Sequence, residues 1–282
     1  KVLFALYLLV GVPVWAAIDP DTYHHTSSLL DTWEISNAEQ AIQTLTQQYP
    51  KEKEIVFLRA RLKFMKGSYR EAWSLVEKVP ARHPYWIDFK TLLNRTRKIT
   101  AKFVTRESEH FRFYFIDGSD EILIHFAEEV LEQSYQVLGK IFDFYPSEKV
   151  RVEFYPSRKP FSQISPLTLK DILTSGTVAL CKYNRIMAIS PGSLYRGYNW
   201  MDTLSHEYIH YLLTKKSKNT EIIREQESAE DSFDLESDNS IGLSAETTIN
   251  LFEDLNYNLK SIRAGEKVKP IYLTKLPKDL KT

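Results

Sequence analysis

The spacing of apolar residues changes character near Lys102. Before it, the stretches "EIVFLRARLKFMKG" (54–67) and "SYREAWSLVEKVP" (68–80) place apolar side chains on one helical face. They predict two amphipathic helices around a tight turn, with Ala60 and Ala72 small enough for close packing. Beyond Lys102 the period shortens. "FVTRESEHFRFYF" (103–115) has the alternation of a strand, with Phe111, Phe113 and Phe115 on one face. "DEILIHFAEEVLEQSYQVLGKIFDF" (120–144) returns to helical spacing, and "KVRVEFYPS" (149–157) alternates again. "GTVALCKYN" and "RIMAISPGS" predict a hairpin turned at Tyr183 and Asn184. The order strand, long helix, strand, strand pair, helix predicts an α+β domain whose last helix packs on the sheet.

A second regularity lies under the first. Ala38, Ile42, Leu45 and Pro50 recur 34 positions later as Ala72, Val76, Val79 and Pro84. That period resembles tetratricopeptide repeats, which implies stacked helical hairpins over residues 28–100 and a surface for a protein partner. A generic array of helical hairpins reads the same residues less specifically. Two repeats are fewer than such arrays need to stand alone, so this part should lean on the domain that follows.

Composition narrows the class. Hydrophobic residues are 43% of the chain and aromatic residues 13%, enough for a real core. Lys plus Arg and Asp plus Glu are equal at 37 each, a balance that argues against nucleic acid as a partner. The opening "KVLFALYLLVGVPVWAA" pairs a lysine with a short apolar run and small residues before a cut after Ala16. It predicts a signal peptide over residues 1–16, export to the periplasm or cell exterior, and no stable membrane span after cleavage. Cys181 is the only cysteine, so no intrachain disulfide forms, and it is expected to be a small core residue.

The candidate chemistry sits in "LSHEYIHYLL" (204–213). Asn199 is placed to cap a helix, with Asp202 bonding back toward it, while Lys215 to Lys218 suit a helix end. Met201, Leu204, Tyr208 and Tyr211 or Leu212 form its apolar stripe. Residues four apart on a helix lie one above the other, so His206 and His210 can offer two nitrogens to one zinc ion. Glu207 then stands beside them, positioned for a metal-bound water rather than the metal. Two hydrogen-bonded structural histidines are the plainer reading. His24, His25, His83, His110 and His125 lack such spacing and read as surface or ordinary helix and strand residues.

From about Lys149 to Glu230 the chain resembles the peptidase MA-like, gluzincin-type metallopeptidases, including exported bacterial ones that carry tetratricopeptide repeats. The stretches that carry the resemblance are "VEFYPSRKPFS", "SGTVALCKYNRIMAISP" and "GYNWMDTLSHEYIHYLLTKKSKNT". It implies a zincin-like domain over residues 101–260, a Zn2+ cofactor, and hydrolysis of a peptide or protein substrate with Glu207 as general base. It also implies a third metal ligand on a following helix, in a Trp-x-x-Glu-Gly setting. That ligand falls on Glu227, seventeen residues after His210, where the chain reads Arg224-Glu225-Gln226-Glu227-Ser228 without the tryptophan or the glycine. Glu230 and Glu246 are further carboxylates in reach of the same role. The extended "RIMAISP" before the helix offers backbone for an added substrate strand. Tyr257 and Tyr272 are available as oxyanion stabilisers, with nothing in their spacing to choose between them.

After Ser240, "AETTINLFEDLNYNL" reads as one amphipathic helix, and residues 261–282 as an extended, Lys-rich tail with Pro270 and Pro277. Two functions follow for the whole chain. One is an exported zinc metallopeptidase with a helical-repeat module in front. The other is a non-catalytic repeat scaffold whose peptidase-like domain lacks a proper third ligand.

Overall fold

The computed structural model describes residues 18–225 apart from 119 and 196, with side chains through 216. The chain is α+β. Five helices come first: α1 (Pro20–Asp31), α2 (Ile35–Gln48), α3 (Lys53–Met65), α4 (Tyr69–Val76) and α5 (Pro84–Ile99). Strands β1 (Phe103–Glu107) and β2 (Phe111–Ile116) follow, then helix α6 (Glu121–Phe142) and strand β3 (Val150–Tyr155). Helices α7 (Arg158–Ile164) and α8 (Leu169–Ser175) lead to β4 (Ala179–Lys182), β5 (Arg185–Ile189) and α9 (Trp200–Glu225).

In the helical part, positions one period apart do the same work. Ala38 and Ala72 are both fully buried, and Ile42 and Val76 are buried one turn further on. The turn between α3 and α4 is made at Gly67, whose φ of +76° suits a residue without a side chain. This part begins at α1, eight residues before the predicted start at residue 28. Phe64, Leu58 and Tyr69 bury against the same core as the sheet, so the helices do not form a separate body.

The strands pair in the order β1-β2-β3-β5-β4. β2, β3 and β5 are parallel, and β1 and β4 close the two sides in antiparallel fashion. The stretch predicted as one strand over 103–115 is instead two, because the chain reverses at Ser108–His110. Glu132 of α6 holds that reversal: its Oε1 accepts from the His110 backbone N–H at 2.8 Å and its Oε2 lies 2.6 Å from His110 Nδ1. The His110 ring stacks on Tyr135 with centroids 3.6 Å apart, which makes it a structural histidine. The predicted hairpin between β4 and β5 is present, with Tyr183 and Asn184 at φ 56° and 58°.

The two faces of the sheet are covered differently. Phe111, Phe113, Phe115, Val152, Phe154, Ile186 and Ala188 are buried in one apolar cluster with residues of α6 and α9. On the opposite face Tyr155, Met187 and Ile189 pack with Phe161 of α7 and Ile172 of α8. Beside them lies a buried ionic cluster that joins the sheet to α4. Glu153 is fully buried and accepts from Tyr69 Oη at 2.6 Å, from Arg151 Nε at 2.5 Å and from the Tyr155 hydroxyl. Arg185, also fully buried, donates to Tyr69 Oη at 2.6 Å and sets its Nε 3.2 Å from Glu153. Its Nη2 has no hydrogen-bond partner, but the guanidinium lies 5.0 to 5.5 Å from the rings of Phe64, Tyr69 and Tyr183, which offer their π-faces to a cation.

Among the described residues no helix is long and apolar enough to cross a membrane.

Candidate metal centre

Helix α9 starts where its cap predicts. Asn199 precedes its first residue, the Asn199 amide contacts the Asp202 carboxylate, and Thr203 N–H donates to the Asn199 carbonyl at 3.0 Å. The predicted end at Lys215 to Lys218 is too early, since the helix continues to Glu225. The reason is that the lysines serve other elements. Lys215 Nζ donates to the Trp33 carbonyl at 2.7 Å, and Lys216 Nζ to the Phe142 carbonyl at 2.5 Å, capping the last residue of α6.

The apolar stripe of α9 is buried at Leu204, Tyr208, Tyr211 and Leu212, with Met201 half-buried. It presses on β4, β5 and α6 and fixes the helix against the sheet. That leaves His206 and His210 together on another side. Their Nε2 atoms are 2.9 Å apart, so one ring N–H donates to the other ring's lone pair. Burial depresses both imidazoles, and His206, further lowered by its neighbour His210, falls to about 4. Both are therefore neutral near pH 7, the form in which imidazole binds a metal.

Glu207 is 8% exposed and faces the backbone N–H of Cys181 on β4, which favours its charged form. Burial lifts its carboxyl to about 7 and outweighs the Cys181 N–H, which acts the other way. Cys181 itself is half-buried against the main core, and burial pushes its thiol well above the usual range.

Two nitrogens with a carboxylate next to them fit the first half of a catalytic zinc site. Among the described residues no group of three or more His, Cys, Asp or Glu side chains is placed to hold a metal ion. Glu227, Glu230 and Glu246 all lie outside the described residues, as do Tyr257, Tyr272, the predicted signal peptide, the predicted helix after Ser240 and the tail over 261–282.

One expectation is overturned. "RIMAISP" cannot take an added substrate strand, because β5 is paired on both sides, with β3 and with β4. The edge on the α9 side of the sheet is β4, residues Ala179–Lys182.

Sequence reasoning also missed how the helix is tethered. Ser205 Oγ lies 3.0 Å from Ser134 Oγ of α6, both buried, and Tyr211 Oη donates to Asn184 Oδ1 at 3.3 Å. A clue to the first was present: Ser205 stands between Met201 and Ile209 at helical spacing, a hydroxyl where the stripe calls for a hydrophobe. The contact of Glu207 with Cys181 left no such clue.

Compared with known proteins, the chain matches no family model, no curated protein and no solved structure.

Proposed function

We propose that the chain is a zinc-dependent peptidase of the gluzincin type, exported, with a tetratricopeptide-like module ahead of a zincin-like domain. The convergence of His206 and His210 Nε2 atoms beside a buried Glu207 carries this reading. In it, His206 and His210 hold the metal and a downstream carboxylate, with Glu227 the first choice, completes the set. Zinc, when bound, would supply Lewis acidity toward the scissile carbonyl and toward a bound water. Glu207 takes a proton from the attacking water and returns it to the leaving amine. The Cys181 N–H faces the Glu207 carboxyl from the sheet edge and favours its charged form. β4 aligns an extended peptide by backbone pairing. The helices α1 to α5 support the sheet and offer a surface for a protein partner.

The competing reading is a scaffold without activity. It is favoured by the run Arg224-Glu225-Gln226-Glu227-Ser228, which lacks the tryptophan and glycine of the resembled setting. Zinc content by elemental analysis and cleavage of an unfolded protein substrate separate the two. The peptidase reading expects one zinc per chain, lost in His206→Ala and His210→Ala, because each removes a nitrogen ligand. Glu207→Gln should retain zinc while losing about 10²–10⁴-fold in rate. Stoichiometric zinc with cleavage no better than that of Glu207→Gln would overturn the catalytic role. Absence of zinc from the wild-type chain, even when refolded with the metal, would leave the scaffold.

A further inference from the structure

Where the α3–α4 turn meets the sheet, a cavity of about 270 Å³ opens between α4, the end of α5 and the strands β1, β2 and β3. Three guanidinium side chains line it, Arg70, Arg97 and Arg151. The one carboxylate in the lining, Glu71, is drawn to Lys63, with Oε2 2.8 Å from Nζ. The local charge is therefore strongly positive in a chain whose net charge is zero.

Each arginine is held in a different way. Arg151 is fixed in place: its Nε donates to Glu153, and its guanidinium carbon sits 3.4 Å from the centre of the Tyr114 ring. It lies directly against the backbone of Gly67, where an added Cβ would come 2.3 Å from Nη1. Arg97 packs over Trp73 and donates from Nη2 to Asn94, yet its Nε is buried without a hydrogen-bond partner. Arg70 is exposed and adjustable at the mouth. The first turn of α4 adds to the set, because Ser68 at its N-cap makes no side-chain capping bond and residues 68–71 line the same cavity. Uncapped N–H groups at a helix start favour an anion.

We infer that this cavity is a binding site for a phosphate group, borne by a small organic molecule. Guanidinium forks match the oxygens of phosphate, and more than one of them favours a dianion over a single carboxylate. The volume falls just short of the pockets that take drug-sized ligands, which sets the scale of the organic part. A ligand there touches the helical part and the sheet at once and ties them together. None of this depends on the metal centre.

The test uses the full chain, titrated calorimetrically with inorganic phosphate and with glycerol 3-phosphate against chloride at matched ionic strength. Thermal melts of the same samples accompany it. Saturable binding of both probes and a rise in melting temperature are expected. Arg97→Gln and Arg70→Gln should each weaken binding by about tenfold or more, and Arg70→Gln should leave the unliganded melting temperature unchanged. Glu71→Gln should tighten it. Binding of inorganic phosphate with exclusion of the ester would overturn the organic part of the assignment. Failure of both probes to saturate, or affinity undiminished in both arginine variants, would overturn the site.

Discussion

The two faces of the central sheet are closed by different chemistry. One is a hydrocarbon layer, in which Phe111, Phe113, Val152 and Ile186 meet the stripe of α9. The other carries Glu153 and Arg185, both fully buried, ion-paired with each other and each hydrogen-bonded to Tyr69 of α4. An apolar layer is tolerant, since any well-filled arrangement of the same volume is nearly as good. A buried ion pair is not, because each charge is costly unless its partner sits in one place. The helical part is thus docked in a defined position by the polar face, while the candidate metal helix rests on the forgiving one.

The largest effect should come from breaking the ionic face. Glu153→Gln leaves Arg185 and Arg151 facing an amide in the interior, and should lower unfolding free energy by about 3–5 kcal/mol in chemical denaturation. The pair Glu153→Met with Arg185→Met should recover much of that loss, since two charges are removed together. A double variant as unstable as the single one would show that the cluster acts through packing and not through charge. Acid gives a second view of the same group. Burial would raise the Glu153 carboxyl, but Arg185, Arg151 and the hydroxyls of Tyr155 and Tyr69 outweigh it and hold it at about 2. Its folded value lies below the ordinary 4.5, so its contribution is complete above that pH and drains away as pH falls toward 2. Glu153→Gln should flatten that part of the stability profile.

On the apolar face, Leu212→Ala removes a fully buried side chain from the stripe of α9 and should cost about 2–5 kcal/mol. No single partner can be removed to restore it, because the loss is a cavity and not an unpaired charge. The same denaturation experiment checks this. A cost below that of a surface substitution would mean that α9 is held by its tethers, Ser205 to Ser134 and Lys216 to Phe142, more than by burial.

The contrast also explains what could be read from the chain before its structure. Alternation at Phe111, Phe113 and Phe115 and helical spacing at Leu204, Tyr208 and Leu212 announce a face that is dry on one side, and these elements stand where expected. Glu153 and Arg185 look like solvent-facing positions of a strand, so nothing in the sequence marked them as core. The reversal at Ser108-Glu109-His110 contains no Gly, Pro or Asn, and its support comes from Glu132 in another element. Helices α7 and α8 have seven residues each, too few for a helical period to emerge. Strand order is not a local property at all, so the pairing of β5 with both β3 and β4 has no signal in the sequence. In the candidate site, the spacing of His206 and His210 was legible because both lie on one helix. The influence of Cys181 on Glu207 was not, because it relates residues 26 positions apart through a backbone amide that every residue possesses.

The smallest effect concerns the hairpin that presents β4 to the candidate site. Tyr183 and Asn184 both have positive φ, the backbone of a two-residue turn that matches the twist of its strands. Asn tolerates that region better than residues with an ordinary Cβ, and glycine better still. Asn184→Ala should therefore lower stability by about 1–2 kcal/mol, including loss of the Tyr211 hydrogen bond. Asn184→Gly keeps the turn and loses only the bond, so it should sit between wild type and Asn184→Ala. If turn geometry sets the edge that holds Glu207, amide exchange at Cys181 should quicken in Asn184→Ala and stay slow in Asn184→Gly. Equal exchange in the two variants would mean that α9 alone, through its buried stripe, keeps β4 in place.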